Sequence, residues 1–268
     1  MMGINISFVV IEYRCIDELK RCINSIQAKS NDLTYEIIVS SNSGYSSTEK
    51  NSLVRDFQEI KWIFNEDNIG FAKAMNNGIF QSSGKTIVIM NPDAQIVGGN
   101  VLTAYQYLME KEDLGIIGPQ IVDNDGKLQD SCRKFMTPLD LLSRMMYRVF
   151  LKKDVILNKG FDYSKIQAVD WVIGAFMMVK REALDRVGLL DEYYFLYVED
   201  MDWCKRFWDN GYKVVYYPDL VIQYKGDRKS VIPLMLKGLV IKYTAHHFKS
   251  YLRFVRKHGL YFYNNQRV

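Results

Sequence analysis

Four short apolar runs within the first ninety residues constrain this chain more than any other feature. They are residues 4–13 (INISFVVIEY), 35–40 (YEIIVS), Ile60–Phe64 and Thr86–Met90, all rich in β-branched side chains. Between the first two, Ile16, Leu19, Cys22, Ile23 and Ile26 recur at helical spacing, which makes a β-α-β unit. An Asn-rich turn and the helical FAKAMNNGIFQSS link the third run to the fourth. Alternation of this kind predicts a parallel, doubly wound sheet. TIVIM is apolar without alternating, so both of its faces are covered, as in a central parallel strand. Ligands of such sheets bind beyond the carboxyl ends of the strands. The residues to weigh are therefore Glu12 and Tyr13, Ser40–Asn42, Asn65–Gly70 and Asn91–Asp93.

Past about residue 115 the pattern loosens. GIIGPQIVDNDGKLQD reads as a strand and hairpin turn, 138–153 as a basic amphipathic helix or loop, 168–180 as a further strand, 181–212 as two short helices, and Lys213–Tyr217 as a last strand ending at Pro218. With 48% apolar residues in 268, the chain can fill the core of one large α/β domain. Cys15, Cys22, Cys132 and Cys204 show no C-x-x-C spacing, which fits reduced cytosolic thiols. The N-terminus has no basic segment ahead of its apolar run and reads as a strand rather than a signal peptide. Val231–Ile241 is interrupted by Lys237 and is about half the roughly 20 residues that a spanning helix needs. From Lys225 onward there are ten Lys/Arg against one acid, Asp227, so a basic tail follows a net negative body. Such a tail suits an anionic surface or a solvated helix face. Between Val231 and His258 the residues Leu234, Leu236, Val240, Ile241, Phe248, Leu252 and Val255 approximate an apolar helical stripe, flanked by Lys237, Lys242, Lys249, Arg253, Arg256 and Lys257.

Three places carry chemistry. Pro92 has no amide donor and cannot sit within a central strand, so Asp93 falls on the lip where the fourth strand ends. A carboxylate there can serve as a turn cap or hold a hard cation, and Mg²⁺ commonly takes only one or two protein carboxylates. Glu199, Asp200 and Asp202 repel one another. On a helix, Glu199 and Asp202 share a face and Asp200 points elsewhere, which divides the cluster into a structural pair and one carboxylate facing a cleft. Finally, Asn68, Gly70, Phe71 and Asn76 open a helix whose N-terminus suits an anion such as a diphosphate. There is no G-x-G-x-x-G and no G-x-x-x-x-G-K-[ST], and no glycine follows the first strand directly, so dinucleotide oxidoreductases, P-loop NTPases and nucleotidyltransferases lose support.

Taken together and in order, these motifs resemble family 2 glycosyltransferases, nearest the rhamnosyltransferase-like subgroup. They are Asn68-x-Gly70-Phe71-Ala72 with Asn76; Asn91-Pro92-Asp93-Ala94; Asp170-Trp171-x-x-Gly174-Ala175-Phe176-Met177; Gly188-x-x-Asp191-x-x-Tyr194-Phe195-x-Tyr197-x-Glu199-Asp200-x-Asp202-Trp203-Cys204-x-Arg206; and Gly211-Tyr212 with Tyr217-Pro218. The resemblance implies a GT-A fold: a Rossmann-like, mostly parallel central sheet flanked by helices, over residues 1–225. About 1–115 would bind the nucleotide sugar and about 116–225 the acceptor, with 226–268 as a basic amphipathic helical extension. It implies transfer of a sugar from a nucleotide diphosphate donor with inversion at the anomeric carbon, usually with Mg²⁺ or Mn²⁺.

Carried over residue by residue, the resemblance makes Asp200 the catalytic base, with Glu199 beside it. It puts Glu12, Tyr13, Ser41, Asn42, Asn68, Gly70, Phe71, Asn76, Asn91 and Asp93 on the donor, and Trp171, Gly174, Ala175, Glu199 and Trp203 on the acceptor. Asp93 would be the metal ligand, joined by Gln223, which stands where relatives have a histidine. Asn91 occupies an acidic place and Ser41 one often held by aspartate. Inversion needs one displacement, so one base and one electrophile at the leaving diphosphate suffice. The subgroup implies L-rhamnose from dTDP-rhamnose, passed to a saccharide or polyprenyl-diphosphate-saccharide acceptor in the cytoplasm, on the inner face of the membrane if the basic tail binds anionic lipid. A UDP-hexose-dependent transferase and a nucleotide-sugar-binding scaffold are the alternatives, and nucleic acid is not an expected partner.

Overall fold

The computed structural model describes residues 3–135, 161–224 and 239–259. The expected helix at 138–153, and Leu234 and Leu236 of the apolar stripe, lie outside these residues. Of Val240 and Ile241, only the backbone is described.

A nine-stranded sheet runs β3 (Ile60–Phe64), β2 (Tyr35–Ser41), β1 (Ile6–Glu12), β4 (Thr86–Met90), β10 (Phe176–Lys180), β6 (Leu114–Val122), β11 (Lys213–Tyr224) and β5 (Ala94–Gly98), with β8 (Gln167–Ala168) also on β11. Six strands point one way and β5, β8 and β10 the other, so the sheet is mostly parallel. A small ribbon pairs β7 (Cys132–Arg133) with β9 (Trp171–Val172). Parallel register sets Glu12 beside Ser41 and Ser41 beside Phe64, while β4 stops at Met90 opposite Val10. The carboxyl ends of β1 to β4 thus form one lip.

Among the described residues seven helices cover the sheet: α1 (Ile16–Lys29), α2 (Ser47–Asp56), α3 (Phe71–Phe80), α4 (Val101–Glu110), α5 (Arg181–Val187), α6 (Glu199–Asp209) and α7 (Leu239–His258). On β1, Phe8 and Val10 pack with Leu19, Ile23 and Ile26 of α1 in one core layer; Val9 and Ile11 pack with Ala72, Met75 and Ile79 of α3 in the other. Burial on both faces is why β1 and β4 read as unbroken apolar runs. Packing of α3 is close enough that a Cβ on Gly78 would lie 2.2 Å from Val9 Cγ1.

The later half departs from expectation twice. The anticipated strand at 168–180 is broken into β9 and β10 by a turn at 173–175, which lies at the lip. The last strand does not end at Pro218. A register shift between Tyr217 and Val221 absorbs the missing amide as a bulge, and pairing resumes to Tyr224.

Candidate active site

Asp200 stands on the first turn of α6. Its Oδ2 accepts the Gly174 N–H (2.9 Å) from the β9–β10 turn and its Oδ1 the Met201 N–H (2.8 Å). Gly174 adjoins Asp200 and Phe71: a Cβ there would be in ordinary van der Waals contact, 3.4 Å from Asp200 Cβ and 3.7 Å from Phe71 Cζ. Burial raises the Asp200 carboxyl, opposed by those two amides and by the charge of Arg133. Glu199 is raised further, by burial and by the neighbouring Asp200 charge, and its Oε2 is buried without a hydrogen bond. Both carboxyls are thus pushed up, and of the two it is Asp200 whose oxygens each receive an amide N–H that favours the ionised form.

Glu199 and Asp202 are both buried, but in different surroundings. Asp202 is fully buried and shared by Arg206 Nε (2.9 Å), Tyr194 Oη (3.2 Å), Lys257 Nζ (3.0 Å) and His258 Nε2 (2.8 Å). Burial would raise its carboxyl, but the hydrogen bonds of His258 and Lys257 and the Arg206 charge bring it down to about 2.

Across the lip, Asn91 follows β4. Its backbone N–H donates to Ala175 O (3.0 Å) and its side-chain Nδ2 to Tyr224 Oη (3.2 Å). Burial, then the charge of Asp93, and after it that of Asp200, push the Tyr224 phenol up to about 12. Strand pleating turns Gln223 to the face opposite Tyr224, so Tyr224 and not Gln223 is the β11 residue that meets Asn91. Gln223 itself is half-buried and pairs across the ladder with Gln95 of β5. Among the described residues no group of three His, Cys, Asp or Glu could hold a metal ion. A single protein carboxylate such as that of Asp93 suits a cation whose remaining ligands are water and the phosphates of a bound donor.

Glu12 is buried at the end of β1. Its carboxylate accepts from Ser41 Oγ (2.5 Å), Ser43 Oγ (2.8 Å), Tyr45 Oη (3.0 Å) and Cys15 N–H (3.0 Å). It fastens the β1–α1 and β2–α2 loops rather than facing a ligand, and it occupies the hydroxyl of Ser41. Tyr13 beside it is 46% exposed, with the Arg14 guanidinium 5.6 Å from the centre of its ring.

The opening of α3 also differs from expectation. The Gly70 N–H donates to Asn68 Oδ1 (3.0 Å) and the Phe71 N–H to Phe195 O (2.8 Å). Gly70 has φ +89°, and a Cβ on it would lie 2.8 Å from Phe195. The close approach this glycine permits is that of Phe195, not of an anion. Asn42 Nδ2 braces the same turn through Gly70 O (3.2 Å).

Three further expectations are corrected. Asn76 uses its amide on Leu190 and Glu192, tying α3 to the loop before α6, and is 4% exposed, so it does not face a donor. Trp203 is fully buried with its indole N–H on Gly188 O (2.9 Å), so it has no surface for an acceptor. Trp171 is largely buried, donates to Lys134 O (3.1 Å) and lies under the Arg133 guanidinium, 5.2 Å from the ring centre. Arg133 carries no signal in the sequence; its place over Trp171, with its charge acting on Asp200, depends on long-range packing.

The C-terminal helix docks on the body. Tyr251 and Phe254 are buried in the core layer beside α3 and α6, whereas Phe248 and Leu252 of the predicted stripe are exposed. Arg253 and Lys257 turn inward to Asp191. Among the described residues no helix is long and apolar enough to cross a membrane.

The sequence profile of the family described as Glycosyl transferase family 2 matches residues 7–188. The N-acetylglucosaminyl-diphospho-decaprenol L-rhamnosyltransferase of Mycobacterium tuberculosis is 22% identical over 267 residues, 94% of this chain and 84% of its own. The dTDP-rhamnosyl transferase RfbF of Shigella flexneri is 24% identical, over 86% of this chain and 72% of its own. Rhamnosyltransferase WbbL of Escherichia coli is 32% identical over 49% of each. Among solved structures, GalNAc-T7 with UDP, GalNAc and Mn²⁺ superposes with a TM-score of 0.64 at 14% identity, over 95% of this chain and 48% of its own. The Pyrobaculum calidifontis mannosyltransferase PcManGT with GDP-Man and Mn²⁺ gives 0.60 at 17%, over 96% and 64%. The chain therefore spans half to two thirds of these GT-A structures, which establish its fold.

Proposed function

Because the chain belongs to glycosyl transferase family 2 and is a glycosyltransferase, we propose that it transfers L-rhamnose from dTDP-rhamnose, with inversion, to a saccharide carried on a polyprenyl diphosphate during cell-surface polysaccharide synthesis. The observation that supports this reading is the turn at 173–175, whose Gly174 N–H holds Asp200 (2.9 Å) and whose Ala175 O accepts the Asn91 N–H (3.0 Å), so that Asp200 and the Asn91–Asp93 segment are tied to one turn. The donor and acceptor classes are taken from what the rhamnosyltransferase relatives are named for.

Asp200 takes the proton of the acceptor hydroxyl. Its raised carboxyl makes it a stronger base than an exposed aspartate, while the Gly174 and Met201 amides keep it oriented and ionised. Glu199 stays protonated to higher pH and does not compete for that proton. Asp93, with Asn91 next to it, would hold a Mg²⁺ or Mn²⁺ arriving with the donor diphosphate. When bound, that cation offsets the charge developing on the leaving group. Tyr13, exposed at the end of β1, offers a ring on which a nucleobase can stack, and Glu12 holds the loops around it in place. The enzyme works peripherally on an anionic bilayer through the outer face of α7, where Phe248, Lys249, Leu252 and Arg256 are exposed.

A transfer assay with dTDP-rhamnose, UDP-glucose and UDP-N-acetylglucosamine against a polyprenyl-diphosphate N-acetylglucosamine acceptor tests this reading. Rhamnosyl transfer with inverted anomeric configuration is expected. Turnover of a UDP-sugar with none of dTDP-rhamnose would overturn the donor assignment and leave the family intact.

A further inference from the structure

The segment that leads into Asp200 is strained. Tyr197 and Val198 both have left-handed backbone, at φ 67° and 74°, a conformation that a β-branched residue such as Val198 adopts only when its surroundings impose it. Along its length that segment is held by α7. The His246 ring stacks on Phe195 (5.2 Å between centres) and His247 lies against Tyr197 (5.4 Å). Ser250 Oγ donates to Leu196 O (3.1 Å), and the Arg253 guanidinium sits 3.8 Å from the centre of the Tyr193 ring. At the end of the helix, Lys257 bridges Asp191 (2.8 Å) and Asp202, and His258 reaches Asp202. Asp202 is two residues past Asp200, on the same first turn of α6.

We propose that Lys257 and His258 are positioning residues: by sharing the buried Asp202 with Arg206 and Tyr194, they lock the first turn of α6 in the register that keeps Asp200 on the Gly174 amide. The proposal rests on reading Asp200 as the base, and it makes the C-terminal helix part of the active site rather than an appendage. A helix turn free of this clamp relaxes the Tyr197–Val198 strain by rotating, which carries Asp200 away from Gly174. Displacement of a reacting group by about 1 Å suffices to lower kcat by one or two orders of magnitude.

The test compares full-length Lys257→Met, Lys257→Arg and His258→Gln with the parent. Hydrogen exchange is followed in peptides containing Gly174 and Met201, alongside kcat and donor KM. In Lys257→Met, exchange at those two amides is expected to rise about fivefold or more, while β1 and β4 stay protected as in the parent. The same variant should lose about tenfold in kcat with donor KM unchanged, and Lys257→Arg should restore both readouts. His258→Gln, the milder change, should move both in the same direction and serves if Lys257→Met does not fold. Unchanged exchange at Gly174 and Met201 in the folded variants, or equal loosening of β1 and β4, would overturn the clamp. Because exchange needs no substrate, this arm decides the clamp even where the base assignment or the donor assignment fails.

Discussion

Replacing Asp202 with Asn keeps the side chain's volume and removes its charge, and the structure sets how much that change should cost. In the folded chain the carboxyl is held at about 2, against about 3.9 in an unfolded chain, and each unit is worth about 1.36 kcal/mol, so the charged form contributes about 2 to 3 kcal/mol. The group is fully buried, so solvent screening does not reduce this. Leaving Arg206 and Lys257 without their shared acceptor adds to the loss. The sign with pH follows from the direction of the shift. A carboxyl lowered on folding stabilises fully above its unfolded value; as pH falls, the unfolded chain takes up the proton first and the advantage drains away toward pH 2. Urea unfolding of parent and Asp202→Asn should differ by about 2 to 3 kcal/mol at pH 7 and by roughly half that at pH 3. A thermal scan at pH 7 should show a loss of roughly 5–10 °C. Equal stability at pH 7, or a difference that stays constant between pH 7 and pH 3, would refute the ion-pair reasoning.

Asp200→Asn should lower kcat by about 10³-fold or more while donor binding is retained, and retention of several per cent of activity would move the base elsewhere. In the parent, kcat should rise with pH through a value above the ordinary aspartate range, because Asp200 acts only when ionised and burial raises it; a limb near pH 4 would contradict this. Asp93→Ala should weaken donor binding and abolish any response to Mn²⁺, measured by titration calorimetry with dTDP-rhamnose; normal binding would make Asp93 a turn residue. Sedimentation with anionic vesicles should be salt-sensitive and should drop when Lys249 and Arg256 become Gln and Phe248 and Leu252 become Ser, because these four are exposed while Arg253 and Lys257 face the protein. Sedimentation equal to the parent's would remove the bilayer from the picture.

The β-α-β alternation, the central placing of β4 and the lip after Met90 could all be read from sequence. They follow from local rules: apolar periodicity, the missing amide of Pro92 and the demand that a strand covered on both faces be apolar throughout. The same rules isolated Asp93 and the Glu199–Asp200–Asp202 cluster, because a carboxylate after a strand and three adjacent like charges are visible without a fold. What the tertiary structure alone decided is which partner each of these groups meets. Asp202 is held by Lys257 and His258, more than fifty residues along the chain; Glu12 is filled by hydroxyls of a neighbouring strand and loop; Asn76 ties down the loop before α6; and the buried side of α7 carries Tyr251 and Phe254 instead of Phe248 and Leu252. Periodicity states which side chains of an element share a face, but a hydrogen bond or an ion pair is completed only when a distant element supplies the other atom, and that choice is made by packing.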